Sequence, residues 1–411
     1  MYSSHTSWRR LGFLILMGTF ILGHAVSAPC VTDLDRLVVV DGLGETLSLI
    51  DRFRDSVAVG VRTLGACPNR IRDTGTDLLV VNSCSDDLWV LNRTDFTLER
   101  AVTFPDGDNP YDVAIVDDSL CAVSMLITND VAVVNYRTGA KGNHLNVGTS
   151  PQAILALGRR LWVANTGFDF GTFTFGPGTV TVLNVDLEST VATIPVGTNP
   201  QGLVVAPDGT VHVLCTGNYF DQFGILYILD PVALTVIDSL PVGGSPGDVV
   251  IGSDGAGYLA AGGFVDSGLV YRYDAITRQV LNGAGNPWKT AEGVIAVAPR
   301  VEGGVYCICF SADSVTALNP NGTQAGAWQV GDGPVHAALL TNRIPGDLNE
   351  DQILNVLDVV GVIGVAFRGA PLPPRPGSGD VNGDCVYDIL DVVKLIDVVF
   401  RGGIGLRWGC A

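Results

Sequence analysis

A short mark recurs along the chain at near-constant spacing, a Gly followed three positions later by Pro. It occurs as Gly65 to Pro68, Gly107 to Pro110, Gly148 to Pro151, Gly197 to Pro200, Gly243 to Pro246 and Gly331 to Pro334, with a loosened copy from Ala284 to Pro287. Successive prolines are 42, 41, 49, 46, 41 and 47 residues apart. A period of roughly 40–50 residues built from strand-rich units is the signature of propeller blades.

The content of one unit agrees with this. After Pro151 come four short runs rich in Val, Ile, Leu and Thr: Gln152 to Leu157, Leu161 to Asn165, Gly178 to Val185 and Thr190 to Val196. Gly, Asn and Asp bound each run, which reads as four antiparallel strands joined by turns. One four-stranded blade cannot cover both its faces, so neighbouring blades must stack. The last mark is followed by one strand, Val335 to Leu340. Three strands precede the first mark, at Leu37 to Val40, Thr46 to Ile50 and Val57 to Val61. One strand plus three completes a blade, and sharing it between the two ends closes the ring without open edges. The expected fold is mainly β, a seven-bladed β-propeller over residues 36–342.

The stretch Val196 to Gly209, with Gly197, Pro200, Pro207 and Asp208, resembles the repeat of YVTN-type β-propellers of the surface-layer and YncE-like kind. So does Val147 to Pro151 followed by Leu161 to Asn165. The resemblance implies fold and leaves activity open, because propellers serve both binders and enzymes.

The pattern changes after Arg343. Two related segments lie 33 residues apart, Gly346 to Asp358 and Gly379 to Asp391. Each runs on into an apolar stretch ending in Phe-Arg-Gly, at Phe367 to Gly369 and Phe400 to Gly402, and Pro371 to Pro376 form a Pro-rich linker between them. Ca²⁺ takes six to eight oxygen ligands, and a twelve-residue loop offers them at positions 1, 3, 5, 7, 9 and 12. In the first loop these are Asp347, Asn349, Asp351, the Ile353 carbonyl, Asn355 and Asp358. In the second they are Asp380, Asn382, Asp384, the Val386 carbonyl, Asp388 and Asp391. The apolar spacing that follows predicts a helix after each loop. The position-12 Asp lies at the helix start, where a carboxylate favours the dipole.

This duplicated loop and helix resembles the type I dockerin family. The resemblance implies two bound Ca²⁺ ions and docking to a cohesin-like or cell-envelope protein, and it makes residues 344–411 a small α-helical dockerin-like domain. The sequence departs from the pattern at position 6, where Gln352 and Cys385 stand in place of Gly. It departs again before the last ligand, where Val356, Leu357, Ile389 and Leu390 replace hydroxyl residues.

Residues 1–28 have a basic start at Arg9 and Arg10, an apolar run from Leu11 to Leu22, and small residues at Ser27 and Ala28. This is the layout of a secretory signal peptide, so a secreted or extracellular bacterial protein is expected, retained at the cell surface or released. No later segment is long and apolar enough to anchor the mature chain in a bilayer. Losing the two Arg takes the formal charge from −18 to −20, which disfavours nucleic acid and anionic membranes and suits cation binding. An oxidising compartment allows disulfides among nine Cys, with Cys67–Cys84 and Cys385–Cys410 as candidates. Cys307 and Cys309 read as buried free thiols on one strand face.

No nucleophile elbow, zinc-protease helix or phosphate loop is present. His144, His212 and His336 fall in different repeats and read as solvated or core residues, and Asp86–Asp87 and Asp117–Asp118 as turn residues. Thr166 to Gly178 is rich in Phe, and Asn218 to Phe223 takes the corresponding place one unit later. These aromatics either pack blade on blade or stack on sugar rings at a loop rim. The expected function is a non-enzymatic binding protein, with a glycan or protein ligand on the propeller loops. The alternative is a polysaccharide-acting hydrolase or lyase carried on the propeller.

Overall fold

The computed structural model describes residues 36–52, 54–263, 268–340, 346–349, 354–370, 373, 378–384, 386–401 and 406. Residues 1–28, expected to be a signal peptide, and Asp351, Gln352, Ile353, Cys385 and Cys410 lie outside them, so the candidate pair Cys385–Cys410 does too.

Seven antiparallel sheets form seven blades, here I to VII in order of their inner strands. Those strands are Pro68–Asp73, Pro110–Ile115, Pro151–Leu157, Pro200–Val205, Asp248–Ile251, Val294–Pro299 and Pro334–Leu340. Blade VII is the shared one: Pro334–Leu340 pairs with Arg36–Asp41, which pairs with Thr46–Asp51 and then Ser56–Thr63. The closure read from the sequence is the one observed.

Burial follows position in the blade. Second strands such as Asp77–Asn82, Val211–Cys215 and Val305–Cys309 are buried on both faces, because a neighbouring blade covers each. They read as unbroken apolar runs for that reason, and they hold the free thiols of Cys121, Cys215, Cys307 and Cys309 as small apolar fillers. Outer strands such as Ala140–Asn146 are mostly exposed. Each interface between blades carries its own apolar cluster, for example Leu79, Val81, Val113 and Val123 between blades I and II. Side-chain hydroxyls tie the inner edges together: Ser83 donates to the Pro110 carbonyl at 2.6 Å, Ser124 to that of Gln152 at 2.6 Å, and Thr216 to that of Pro246 at 2.8 Å.

The mark has a structural cause at both ends. In four of the marks, at Gly65, Gly148, Gly197 and Gly331, the Gly lies against the residue that ends the second strand. A Cβ on Gly148 would stand 2.7 Å from Asn165, and one on Gly331 would stand 2.3 Å from Asp41. The residue before Pro is left-handed in five marks, with φ of 51° at Cys67, 54° at Asn109, 52° at Ser150, 58° at Asn199 and 58° at Gly333, and Ser245 departs from this. Asn tolerates that conformation better than most side chains. Its carbonyl then accepts the N–H just past the second strand, as Ser150 does from Thr166 and Asn199 from Thr216. Cys67 is also bonded to Cys84 in a disulfide, as the spacing suggested.

The sixth mark lies elsewhere than the sequence suggested. Pro287 leads into Trp288–Thr290, an extra strand on the outer side of blade V that pairs with Gly268–Asp274. The true start of blade VI is Val294, which pairs with Cys309 and is followed by the same bulge as Pro68 and Pro200. Gly293, at φ 74°, supplies the left-handed turn, so Pro is dispensable there.

The C-terminal segment contains helices α1 (Val356–Arg368) and α2 (Ile389–Arg401). Their core is Leu348, Val359 and Val362 with Val381, Val392 and Leu395, three pairs each 33 residues apart. Asn355 caps α1 in a capping box with Asp358, and Gly369 ends it in a left-handed turn at φ 64°.

Asp41 is fully buried at the ring closure, where it accepts from Gly331 N–H at 3.1 Å, Ser48 at 2.7 Å and Thr46 at 2.9 Å. Burial outweighs these bonds and raises its pKa to about 6. The folded state therefore binds the proton more tightly than the unfolded one, and the stability this gives is lost as pH rises from about 4 to about 6. Asp41→Asn should remove that component. Thermal melting of the unmodified chain should fall relative to the variant across this window, and parallel profiles would disprove the assignment.

Candidate functional site

Inner strands start at the mark and run the same way, so the residue two places after each mark falls at one level around the axis. These residues are Arg70, Asp112, Ala153, Gly202, Asp248, Ala296 and His336. All but Ala296 line a central cavity of about 370 Å³, together with Arg72 one pleat deeper. Its lower wall is apolar, with Ile154, Val204, Val249 and Val250 among the lining residues.

Asp112 is the fixed point of the polar tier. Arg72 donates to its two oxygens at 3.0 and 3.2 Å, and Val113 N–H donates to Oδ1 at 2.8 Å. Arg72 also donates to the Val113 carbonyl at 3.2 Å and to Nε2 of His336 at 3.1 Å. Guanidinium nitrogens only donate, so Nε2 is the acceptor and the imidazole proton sits on Nδ1. Burial, with Arg72 and Arg70 nearby, holds the pKa of His336 well below the ordinary value, so the ring is neutral. Nδ1 is buried and has no hydrogen-bond partner among the described residues.

Arg70 is held differently. Its Nε stands 4.0 Å from Asp112 Oδ1 and its guanidinium lies over the Tyr111 ring at 5.8 Å. Burial works against its charge, and Asp112 and Asp248 outweigh burial, so its pKa rises. Asp248 accepts from Val297 N–H at 3.0 Å. Burial raises its carboxyl pKa against the opposing pull of Arg70. None of these tier residues stood out in the sequence except His336, which read as a core or solvated residue. Counting two places from each mark would have found them.

Pro151 pairs with Asn165, so the loop after Asn165 lies at the mouth of the cavity, as does the equivalent loop after Cys215. The first holds a short hairpin of Phe168–Asp169 with Thr174–Phe175. Phe168 sits edge-on to Phe170 at 4.9 Å and 5.0 Å from Phe175, and Phe175 reaches Tyr219 of the next blade at 6.1 Å. The packing reading holds for Phe168 and Phe175, while Phe173 is 77% and Phe220 86% exposed. A recess of about 520 Å³ opens beside them, lined by Asn129, Ser150, Asp169 and Phe170. Gln201, at the cavity mouth, donates to Tyr219 Oη at 3.0 Å and so links tier and rim.

The other sequence candidates fall outside the cavity. His212 is a core residue, bonded to Tyr273 at 2.8 Å and to Thr210 at 3.1 Å, and burial lowers its pKa to about 4. His144 pairs with Asp130 at 2.9 Å. Asp86 accepts from Gly107 and Asn109 N–H, and Asp117 from Ser119 and Leu120 N–H, as turn residues do.

Of the calcium candidates, Asp351 and Ile353 lie outside the described residues. Asp347, Asp358, Asp380 and Asp391 are buried. Asp358 accepts from Leu348 N–H at 2.9 Å and Asn355 N–H at 2.9 Å. Asp391 repeats this with Asn382 at 3.2 Å and Asp388 at 3.0 Å. Asp380 accepts from Gly383 and Asp384 N–H, Asp384 from Val386 N–H, and Asn355 and Asp388 from Leu357 and Leu390 N–H. Asn349 shares Asp358 through its own N–H at 3.5 Å. Burial raises the pKa of Asp391 against its backbone bonds, and the charges of Asp380 and Asp384 add to the rise. Among the described residues no three His, Cys, Asp or Glu side chains are gathered tightly enough to hold a metal as they stand. The donor set of each loop is all oxygen, which suits a hard cation.

Arg72→Met would take from Asp112 the cation that donates to both its oxygens, leaving only Arg70 at 4.0 Å. That change should cost about 3 kcal/mol in urea unfolding, and Asp112→Leu in the same chain should restore most of the loss. A cost near zero would show that the pair does not hold the tier.

No protein-family model matches the chain, and no curated protein matches it in sequence. Solved structures with a similar fold include the hydrazine synthase of Kuenenia stuttgartiensis, at 16% identity and a TM-score of 0.55 over 66% of this chain and 88% of that one. A quinonprotein alcohol dehydrogenase-like protein of Bacteroides thetaiotaomicron matches at 14% identity and 0.54 over 75% and 78%. The dihydro-heme d1 dehydrogenase NirN, in complex with DHE, matches at 11% and 0.51 over 75% of each chain. At these identities the likeness is one of fold, and it agrees with the seven-bladed propeller traced by the sheet order.

Proposed function

We propose that the chain is a secreted, non-enzymatic bacterial binding protein with two working parts. The propeller offers the mouth of its central cavity to a ligand. The C-terminal pair of loops binds two Ca²⁺ ions and docks the protein to a cohesin-like or cell-envelope partner.

The observation that carries the docking half is the duplicated placement of buried carboxylates. Asp358 and Asp391 close their loops by taking backbone N–H groups, and Asp347 and Asp380 are buried at the loop starts. Asp347, Asn349, Asn355 and Asp358 would hold one ion, with Asp351 and Ile353 completing the set. Asp380, Asn382, Asp384, Val386, Asp388 and Asp391 would hold the other. Bound Ca²⁺ supplies the positive charge that makes buried carboxylates tolerable. The helices add a surface for docking. Val356, Leu357, Val360 and Phe367 are exposed on α1, and Ile389, Leu390, Val393 and Phe400, each 33 residues on, are exposed on α2. No helix among the described residues is long and apolar enough to cross a membrane.

The propeller half rests on how its polar groups are fixed. His336 is neutral with Nε2 engaged by Arg72, and Asp112 is held by Arg72 and backbone, so neither is free to move protons. One observation favours a second reading, a polysaccharide hydrolase or lyase. Asp248 is a cavity carboxyl whose pKa is raised by burial, as a general acid requires. Turnover of a polysaccharide that Asp248→Asn abolishes would establish that reading and overturn the non-enzymatic one.

Calorimetric titration of the full chain should give two Ca²⁺ ions bound, and Asp347→Ala/Asp380→Ala should bind none. Leu357→Asp/Leu390→Asp should keep both ions and lose calcium-dependent retention on cell envelopes. No binding at millimolar Ca²⁺ would overturn the docking half.

A further inference from the structure

We propose that the central cavity binds one neutral sugar unit, the end of a glycan whose next rings lie on the aromatic rim. This rests on the binding reading above and names the ligand class of that site.

Charge decides against an ionic ligand. The tier holds Arg70 and Arg72 against Asp112 and Asp248, and His336 is neutral, so the four charges cancel. An anion or a cation entering the cavity meets no net opposite charge, and it gives up its hydration to do so. Hydrogen bonding decides in favour of a polyol. The N–H groups of Arg70 make no hydrogen bond among the described residues, and its closest carboxylate oxygen is at 4.0 Å. Asp248 accepts from Val297 N–H and keeps further lone pairs. Arg70 as donor and Asp248 as acceptor at one level of the cavity ask for groups that both give and take. A hydroxyl does both, and neighbouring hydroxyls on a sugar ring present them side by side.

Size and walls agree. The volume of about 370 Å³ lies in the range of roughly 300–1,000 Å³ typical of small-molecule sites. Room at the tier comes from Ala153 and Gly202 on blades III and IV. The apolar wall below suits the C–H face of a sugar ring. Phe170, Phe173, Tyr219 and Phe220 are exposed on the two loops at the same mouth, where flat rings can stack on further sugars.

The test uses the full chain and saturation-transfer NMR with calorimetry. The probes are glucose, galactose, mannose, xylose, cellobiose and xylobiose, with galacturonate and glucosamine as charged controls. At least one neutral sugar should bind, and Arg70→Gln and Asp248→Asn should each weaken it at least tenfold. Phe173→Ala/Phe220→Ala should weaken the disaccharide and leave the monosaccharide within twofold. Should the charge variants melt early, Ala153→Leu tests the same point by filling the cavity while keeping every polar group. Binding only of galacturonate or glucosamine would overturn the inference. So would sugar binding that survives the cavity variants, or no sugar binding at all. In that last case calcium-dependent docking, measured separately, shows whether the binding reading itself stands. Cleavage of a bound sugar would support the cavity assignment and remove the non-enzymatic reading.

Discussion

The propeller depends on the antiparallel pairing of Arg36–Asp41 with Pro334–Leu340. Six blades are made of consecutive strands and have local reasons to form. The seventh joins the two ends of the repeat region and so closes the ring. It also places Asp41 where Gly331, Ser48 and Thr46 meet it, so a buried carboxylate marks the seam. With the ring closed, all inner strands face one axis, and a tier of seven side chains is set at one height. The cavity is a consequence of closure, because no single blade contains more than one member of that tier.

The polar tier and the buried second strands show a division of labour within each blade. Second strands are buried on both sides, so their side chains fill the interfaces between blades. The inner strand has one face packed against a neighbouring blade and one facing the axis. At that facing position the chain is free to carry Arg, Asp, His, Ala or Gly. Arg72 then determines how the charges are used. It engages Asp112, the Val113 carbonyl and His336 at once, fixing the imidazole tautomer.

Blade number and ring closure were legible because a backbone need, a left-handed residue ahead of the inner strand, leaves a visible Gly and Pro. The same logic explains the one misplacement. Gly293 meets that need without Pro, while Pro287 begins an unrelated outer strand, so a search by Pro drifts by seven residues at blade VI. The tier was not legible because its members come from seven distant segments and share no residue type. What they share is an offset from the mark, which acquires meaning only once the strands are known to be inner ones. The C-terminal repeat was legible in its 33-residue period, and that period recurs in the helix core at Leu348 with Val381, Val359 with Val392 and Val362 with Leu395.

The seam has a further consequence in time. Arg36 is a direct partner of Leu340, so a strand made early waits for one made late. Until then its edge and the apolar side chains of Leu37, Val38 and Val39 are open to other chains and to proteases. Contacts of such long sequence separation form slowly. The order in which the chain emerges, and not its final stability alone, therefore sets the interval during which this protein must be shielded.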